Sequence, residues 1–169
     1  AIGNTPLVKL NKVVEPGSAT VYAKCEFMNP AGSIKDRMAC YIIEKAEEEG
    51  LLKPGGTIIE NTSGNTGMGA AMTAAVKGYK AVFTMPDKMS QEKIDGLRAF
   101  GATVIITPTD VPGASPEHYV NRAKNIAADT PNSFYMNPSP SPWNIEAHPS
   151  STRRELHQPP DQRHAHAIR

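Results

Sequence analysis

A lysine stands at the start of a predicted helix, directly after a turn rich in proline and glycine. The run is Asn29-Pro30-Ala31-Gly32-Ser33-Ile34-Lys35-Asp36-Arg37. The partial positive charge of a helix N-terminus disfavours an ammonium, so the neutral amine of Lys35, which can attack an aldehyde, becomes more accessible. A first-turn lysine considered alone is more often a solvated surface charge, and this run by itself leaves both interpretations open.

A second run, rich in glycine and hydroxyl residues, lies between a predicted strand and an alanine-rich helix. It is Glu60-Asn61-Thr62-Ser63-Gly64-Asn65-Thr66-Gly67-Met68-Gly69. Glycines let the backbone approach a ligand closely, and the unpaired N–H groups of a helix start attract an anion. Hydroxyl donors come from Thr62, Ser63 and Thr66, and an amide from Asn65. A carboxylate or phosphate is the expected guest; the alternative is a tight turn whose hydroxyls only cap the helix.

Other familiar site types do not match the spacing. The second run lacks the Lys-Ser/Thr pair of a P-loop and the G-x-G-x-x-G of a dinucleotide-binding turn. Cys25 and Cys40 lack C-x-x-C spacing, so we expect reduced structural thiols. A metal site on His157, His164 and His166 is a third alternative, but these residues lie in a proline-rich stretch without paired acidic or thiol ligands. No metal site is predicted.

Both runs must be positioned by the elements around them, which alternate from residue 57 onward. Strands are predicted at residues 57–60, 81–85, 103–107 and 133–136. Helices are predicted at residues 67–77 and 91–100, and a third opens at Ser115-Pro116 and runs to about residue 129. This βαβαβαβ order predicts an α/β fold, a parallel sheet with helices on both faces.

A further helix precedes this alternation and carries the lysine. Ser33 is its expected N-cap, with Asp36 at the capping-box spacing. Apolar residues recur every fourth position and give the helix one apolar face; they are Ile34, Met38, Ile42 and Ala46. An earlier strand is predicted at residues 21–27.

Together the two runs resemble those of one family, the cystathionine β-synthase and cysteine synthase group of fold type II pyridoxal-phosphate enzymes. Both signatures match in order and separation, and residues 2–10, 53–57 and 85–93 match as well. The string Lys88-Met89-Ser90-x-Glu92-Lys93 is similar to the cystathionine β-synthase side of the group. The resemblance extends from Ile2 to about His148.

The resemblance implies a cofactor, pyridoxal 5'-phosphate, and a role for each site residue. Lys35 matches the lysine that bonds covalently to the cofactor and then removes the α-proton of the substrate as a base. Asn65 matches the asparagine that hydrogen-bonds the ring hydroxyl of the cofactor. The residues that hold the substrate carboxylate match Thr62, Ser63, Gly64 and Thr66. The implied reaction is β-replacement on serine or O-acetylserine, giving cystathionine or cysteine.

The family pattern also predicts how the chain is divided. Residues 1–35 form an N-terminal segment whose strand belongs to a large second domain that is missing here, so we expect this strand to lack its partners. Residues 36–137 form a small α/β domain, and residues 138–169 form an irregular Pro/His-rich tail, poorly ordered from about residue 149. The glycine-rich cup for the cofactor phosphate is expected in the missing domain. Pro138 follows Asn137 where the family has glutamine.

Composition favours a small, near-neutral ligand. With 18 basic and 17 acidic residues the net charge is +1, so no basic field is available for nucleic acid or an anionic membrane. No apolar run approaches the length of about 20 residues that is needed to cross a bilayer, and the first residues do not resemble a signal peptide.

We expect a cytoplasmic protein with a small amino-acid substrate, without nucleic-acid or membrane partners, and a homodimer for the intact family. The alternative is a truncated, non-catalytic remnant that binds at most an amino acid or a partner protein.

Overall fold

The structure, a computed structural model, describes residues 1–138 and 141–157. The strands are β1 Leu7–Lys9, β2 Tyr22–Lys24, β3 Thr57–Asn61, β4 Lys80–Pro86, β5 Thr103–Thr107 and β6 Ser133–Tyr135. The helices are α1 Lys35–Glu48, α2 Asn65–Lys77, α3 Gln91–Ala99, α4 Tyr119–Asp129, α5 Pro142–Ala147 and α6 Arg154–His157. A 3₁₀ turn covers Glu26–Met28, and a π-helical segment, His148–Arg153, joins α5 to α6.

Four of the strands form one parallel sheet in the order β5-β4-β3-β6. The central strand, β3, is buried from Thr57 to Glu60, as expected for a strand covered on both faces. It pairs in parallel with β4 and with β6, where Ile59 is the partner of Tyr135. The predicted α/β fold with a parallel sheet is confirmed.

Helices cover the sheet on both faces. Helices α1 and α2 pack on each other, and the fully buried Ile42 belongs to the same core cluster as Ile58 of β3. The neighbouring Ile59 is also buried but lies outside this cluster, as does Ala123 of α4, which packs on β3 and β4. Alternate residues of a strand point to opposite faces, so β3 supplies a core to each side of the sheet.

The β2 strand has a partner within the chain, on one of its two edges. It covers only Tyr22–Lys24, pairs antiparallel with β1, and is followed by the 3₁₀ turn rather than by a continued strand. The chain folds back between them, so one edge of β2 is paired with a nearby segment. Whether this hairpin also belongs to a larger sheet stays a prediction.

Two helix starts differ from the predicted ones. Helix α1 begins at Lys35, and the residue before it, Ile34, provides no side-chain cap. The Ser33 hydroxyl accepts a hydrogen bond from the Lys35 backbone N–H at 3.1 Å, whereas Asp36 accepts one from Ala31 N–H at 2.6 Å and not from Ser33. The predicted capping box is therefore absent. Helix α4 begins at Tyr119, not near residue 116, because the preceding residues form turns that Asn121 ties together through the Ser115 carbonyl.

The prediction of an irregular tail is wrong for residues 141–157. There the chain forms α5, the π-helical segment and α6, and it packs against α1 with Ala147 buried and Trp143 against the core. Pro142 occupies the first turn of α5, a position where its missing N–H needs no partner. Residues 139–140 and 158–169, including His164 and His166, lie outside the described residues.

Candidate active site

A cleft of about 410 Å³ opens beside the carboxyl end of β3 and the residues that follow β6. Carboxyl ends of strands in a parallel α/β sheet are where such folds bind ligands. The cleft brings together every residue that the sequence singled out, from two separate runs: Lys35, Thr62, Ser63, Gly64, Asn65 and Thr66. It is also lined by residues to which the sequence analysis gave no role, Glu60, Asn61, Lys93 and Tyr119, and by Asn137 and Pro138 at the position where the family has glutamine.

Lys35 reaches this cleft because α1 lies unusually close to α2. A Cβ built on Gly69 of α2 would stand 3.0 Å from the Lys35 carbonyl oxygen and 3.1 Å from the Asp36 Cα. These neighbours are backbone atoms and cannot move aside as a side chain can. Glycine at position 69 therefore permits the helix contact that places the first residue of α1 beside the start of α2.

The Thr62 hydroxyl shapes the turn from inside. It accepts hydrogen bonds from the backbone N–H groups of Gly64 at 3.1 Å and Gly67 at 3.0 Å, and Thr62 is 2% exposed. A Cβ on Gly67 would lie 2.5 Å from the Thr62 methyl carbon, so only glycine leaves room for this side chain. The Thr62 hydroxyl therefore has the capping role that the sequence analysis gave as the alternative to anion binding.

The other side of the turn presents free donors to the cleft. In the part of the chain that the structure describes, the backbone N–H groups of Ser63, Asn65 and Thr66 donate to no acceptor. They stand at the positive end of the α2 dipole. The Lys93 ammonium lies 3.3 Å from the Ser63 carbonyl oxygen and adds a positive charge. This turn can therefore hold a carboxylate or another anion of similar size.

Glu60 is the buried acid of the cleft. Its side chain closes the apolar run of β3 and is 2% exposed, and its Oε2 atom has no hydrogen-bond partner within residues 1–138 and 141–157. Burial raises the pKa of Glu60 to about 8, so the carboxyl is uncharged at neutral pH. An acidic residue at the end of an apolar strand was the signal in the sequence that could have revealed it.

A tyrosine–asparagine pair closes the edge of the cleft next to Glu60. The Tyr135 hydroxyl donates a hydrogen bond to the Asn61 side-chain oxygen, which ties the end of β6 to the end of β3. Burial, and then the neighbouring Glu60 charge, raise the pKa of Tyr135 to about 12. Beyond it, Asn137 adopts a left-handed φ of 29°, a conformation that asparagine tolerates, and leads into Pro138 at the cleft.

The described residues contain no group of three His, Cys, Asp or Glu side chains close enough to hold a metal. Cys25 and Cys40 are both free thiols. Burial and the adjacent Glu44 carboxylate raise the pKa of Cys40 to about 11, so it is protonated and unreactive at neutral pH. Among these residues, no helix has the length and apolar character needed to cross a bilayer.

A parallel α/β sheet with a lysine and a Ser/Thr/Gly turn lining one cleft indicates the class: these are features of fold type II pyridoxal-phosphate enzymes. Comparison with known sequences agrees. The chain belongs to the pyridoxal-phosphate dependent enzyme family, whose profile matches residues 1–167. The match continues past His148, where the sequence analysis placed the end of the resemblance.

Named relatives and solved structures lie within this family. The chain is 51% identical over 158 residues to cystathionine beta-synthase from Apis mellifera, covering 92% of the chain and 31% of that protein. It is 48% identical over 157 residues to a probable cysteine synthase from Bacillus subtilis (strain 168), covering 92% and 49%.

The crystal structure of O-ureido-L-serine synthase superposes with a TM-score of 0.84 at 38% identity, covering 92% of this chain and 48% of the other. A hydrogen sulfide-producing enzyme from Fusobacterium nucleatum gives a TM-score of 0.82 at 41% identity, covering 92% and 49%. The chain therefore spans about a third to a half of the length of these relatives.

Proposed function

We propose that this chain supplies the reactive lysine and the substrate-binding turn for a pyridoxal-phosphate-dependent β-replacement on serine or O-acetylserine, giving cystathionine or cysteine. The observation that carries the proposal is that Lys35 and the 62–66 turn line one cleft. The names of the relatives, cystathionine beta-synthase and cysteine synthase, support the same reaction.

In this proposal the turn binds the α-carboxylate of the amino acid. The hydroxyls of Ser63 and Thr66 and the free backbone N–H groups are the donors, and Gly64 lets the ligand approach the backbone. Thr62 acts through its hold on the turn, because its hydroxyl is already bonded to two N–H groups. Each charge-assisted hydrogen bond contributes about 1.5–3 kcal/mol, so a few of them suffice to fix the orientation of a small substrate.

The cleft fits one end of the cofactor. Lys35 offers the amine for its aldehyde and Asn65 the amide for its ring hydroxyl, and both line the cleft. When bound, the cofactor supplies an electron sink. Lys35 then holds the proton removed from the substrate Cα, while the turn keeps that bond oriented. For the phosphate end, the described lining contains no second glycine-rich helix start, so these residues fit the ring and not the phosphate.

That same gap favours the alternative, a non-catalytic remnant that binds at most an amino acid or a partner protein. If the phosphate of the cofactor lacks about two hydrogen bonds of 1.5–3 kcal/mol each, the affinity for the cofactor falls by roughly two to four decades. The two functions differ in whether pyridoxal phosphate reacts with Lys35 in preference to the other lysines.

Borohydride reduction after incubation with pyridoxal phosphate tests the proposal. We expect a stoichiometric adduct that peptide mapping places at Lys35, lost in Lys35→Ala and retained in Lys12→Ala, which removes an exposed lysine of a loop. Label scattered over several lysines would contradict the proposal and favour the remnant.

The proposal includes the location and partners that the family resemblance implies, a cytoplasmic protein without nucleic-acid partners, and a homodimer for the intact family. The net charge of +1 supports the last point. Light scattering of the purified chain measures its oligomeric state directly, and a monomer at all concentrations would contradict a dimer formed by this part.

A further inference from the structure

Glu60 is a buried acid, and the described part of the chain leaves one of its carboxyl oxygens without a hydrogen-bond partner. It lines the cleft together with Lys35 and the 62–66 turn, and only 2% of it is exposed. The Oε2 atom has no partner anywhere in residues 1–138 and 141–157. Nearby, the Tyr135 hydroxyl is occupied by the side chain of Asn61.

An unpartnered buried carboxyl is costly for the fold. Buried polar atoms are nearly always hydrogen-bonded, and an exception needs a physical explanation, such as a functional role or a bound group. Leucine at the same position would continue the apolar run of β3 without this cost. A partner that enters the cleft explains why a carboxyl stands there.

We propose that Glu60 is a further ligand-binding residue of the cleft, whose carboxyl donates a hydrogen bond to an oxygen of the amino acid held by the 62–66 turn. This inference rests on the proposed function. The turn and Lys93 bring positive charge to one side of the cleft, so the carboxylate of the guest is drawn there. An uncharged acid can donate to such a guest, whereas an ionised one would repel it.

Burial supports the donor role, because it raises the pKa of Glu60 to about 8. The titratable groups that share its surroundings are Lys35 at the start of α1, Lys93 on α3, Tyr119 on α4 and Tyr135 on β6. Raising the pH through 8 removes the Glu60 proton, which abolishes the donor and places a negative charge near the guest carboxylate. Binding should therefore weaken over this range.

Calorimetric titration of L-serine into the chain tests the role of Glu60. At pH 7 we expect Glu60→Leu to weaken binding at least tenfold, while Glu60→Gln, which keeps an N–H donor, changes it less than threefold. Ser63→Ala, in the turn, should also weaken binding. Lys12→Ala should bind as the unchanged chain does.

The pH dependence separates a binding role from a structural one. Between pH 7 and 9 the affinity of the unchanged chain should fall more steeply than that of Glu60→Gln, since the amino group of serine titrates equally in both experiments. Thermal unfolding provides the fold control, and Glu60→Leu should melt at or above the temperature of the unchanged chain. If Glu60→Leu misfolds, the pH dependence of serine affinity in Glu60→Gln, compared with that of the unchanged chain, still distinguishes the two roles.

The failures are distinguishable. If Glu60→Leu binds serine as tightly as the unchanged chain while Ser63→Ala does not, Glu60 has no binding role and the proposed function stands. Equal pH slopes for the unchanged chain and Glu60→Gln would also overturn the inference. If the unchanged chain does not bind serine at all, the inference and the proposed function fall together.

Discussion

Arg37 forms a bidentate ion pair with Glu155, in which Nη1 donates to Oε1 at 2.6 Å and Nη2 donates to Oε2 at 2.8 Å. The two residues are 118 positions apart. Lys24 reaches the same carboxylate at 2.6 Å, and Glu26 binds Arg37 from the other side at 2.8 Å. This network joins the β1–β2 hairpin and α6 to the helix that begins at Lys35.

Removing the Glu155 charge should loosen this junction. The Arg37 side chain is 2% exposed, so Glu155→Gln leaves a buried guanidinium with Glu26 as its remaining charged partner. We expect a loss of about 2–3 kcal/mol in the free energy of unfolding, since breaking a buried ion pair is strongly destabilising. Urea denaturation measures this loss. The control Glu15→Gln, in an exposed loop, should stay within about 0.5 kcal/mol; an equal, small effect of both substitutions would show that α6 is not anchored.

The same network predicts acid sensitivity. Burial alone would raise the pKa of Glu26 and of Glu155, but hydrogen bonds, chiefly those from Arg37, outweigh it and lower both pKa values to about 2. The unfolded value is 4.5. Folding therefore favours the ionised carboxylates, whose contribution is complete above pH 4.5 and is lost as the pH falls towards 2. Denaturation curves between pH 3 and 6 should show this loss, and Glu155→Gln should reduce it; identical pH profiles would contradict the assignment.

The contact between α1 and α2 should tolerate no side chain at position 69. In Gly69→Ala the new Cβ would meet the backbone of Lys35 and Asp36 at 3.0–3.1 Å, so the helices must separate. We expect a loss of about 1–3 kcal/mol, typical of overpacking, and weaker labelling of Lys35 by pyridoxal phosphate and borohydride. Gly113→Ala is the matched control, because a Cβ there meets nothing within 4 Å. Equal stability of the two variants would mean that the helices adjust freely.

We expect the turn to depend on the Thr62 hydroxyl as a hydrogen-bond acceptor and not on the volume of the side chain. Thr62→Val keeps the shape but removes the acceptor for the N–H groups of Gly64 and Gly67. Leaving buried donors unpaired costs about 1–3 kcal/mol each. We expect that loss in urea denaturation, together with weaker serine binding. Thr62→Ser, which keeps the oxygen, should lose less, and the reverse order of the two variants would contradict the capping role.

The sheet could be predicted from sequence because its pattern is local. Predicted strands at 57–60, 81–85 and 103–107 correspond to β3, β4 and β5, with ends that differ by no more than one residue. Apolar runs bounded by glycine and polar turns determine an element and its buried face without reference to distant residues. The candidate site followed for a related reason, since the carboxyl ends of parallel strands meet at one edge. The roles of the site residues stay predictions.

Sequence by itself thus determined the α/β class, the lysine at a helix start and the turn rich in glycine and hydroxyl residues, all of which depend on neighbours a few positions away. Tertiary structure alone decided that residues 141–157 form helices, that Glu155 pairs with Arg37, and that Glu60 is buried at the cleft with its Oε2 atom unpartnered among the described residues. The partner of a charged residue cannot be predicted from the sequence, because desolvation and pairing depend on segments that are brought together only when the whole core packs.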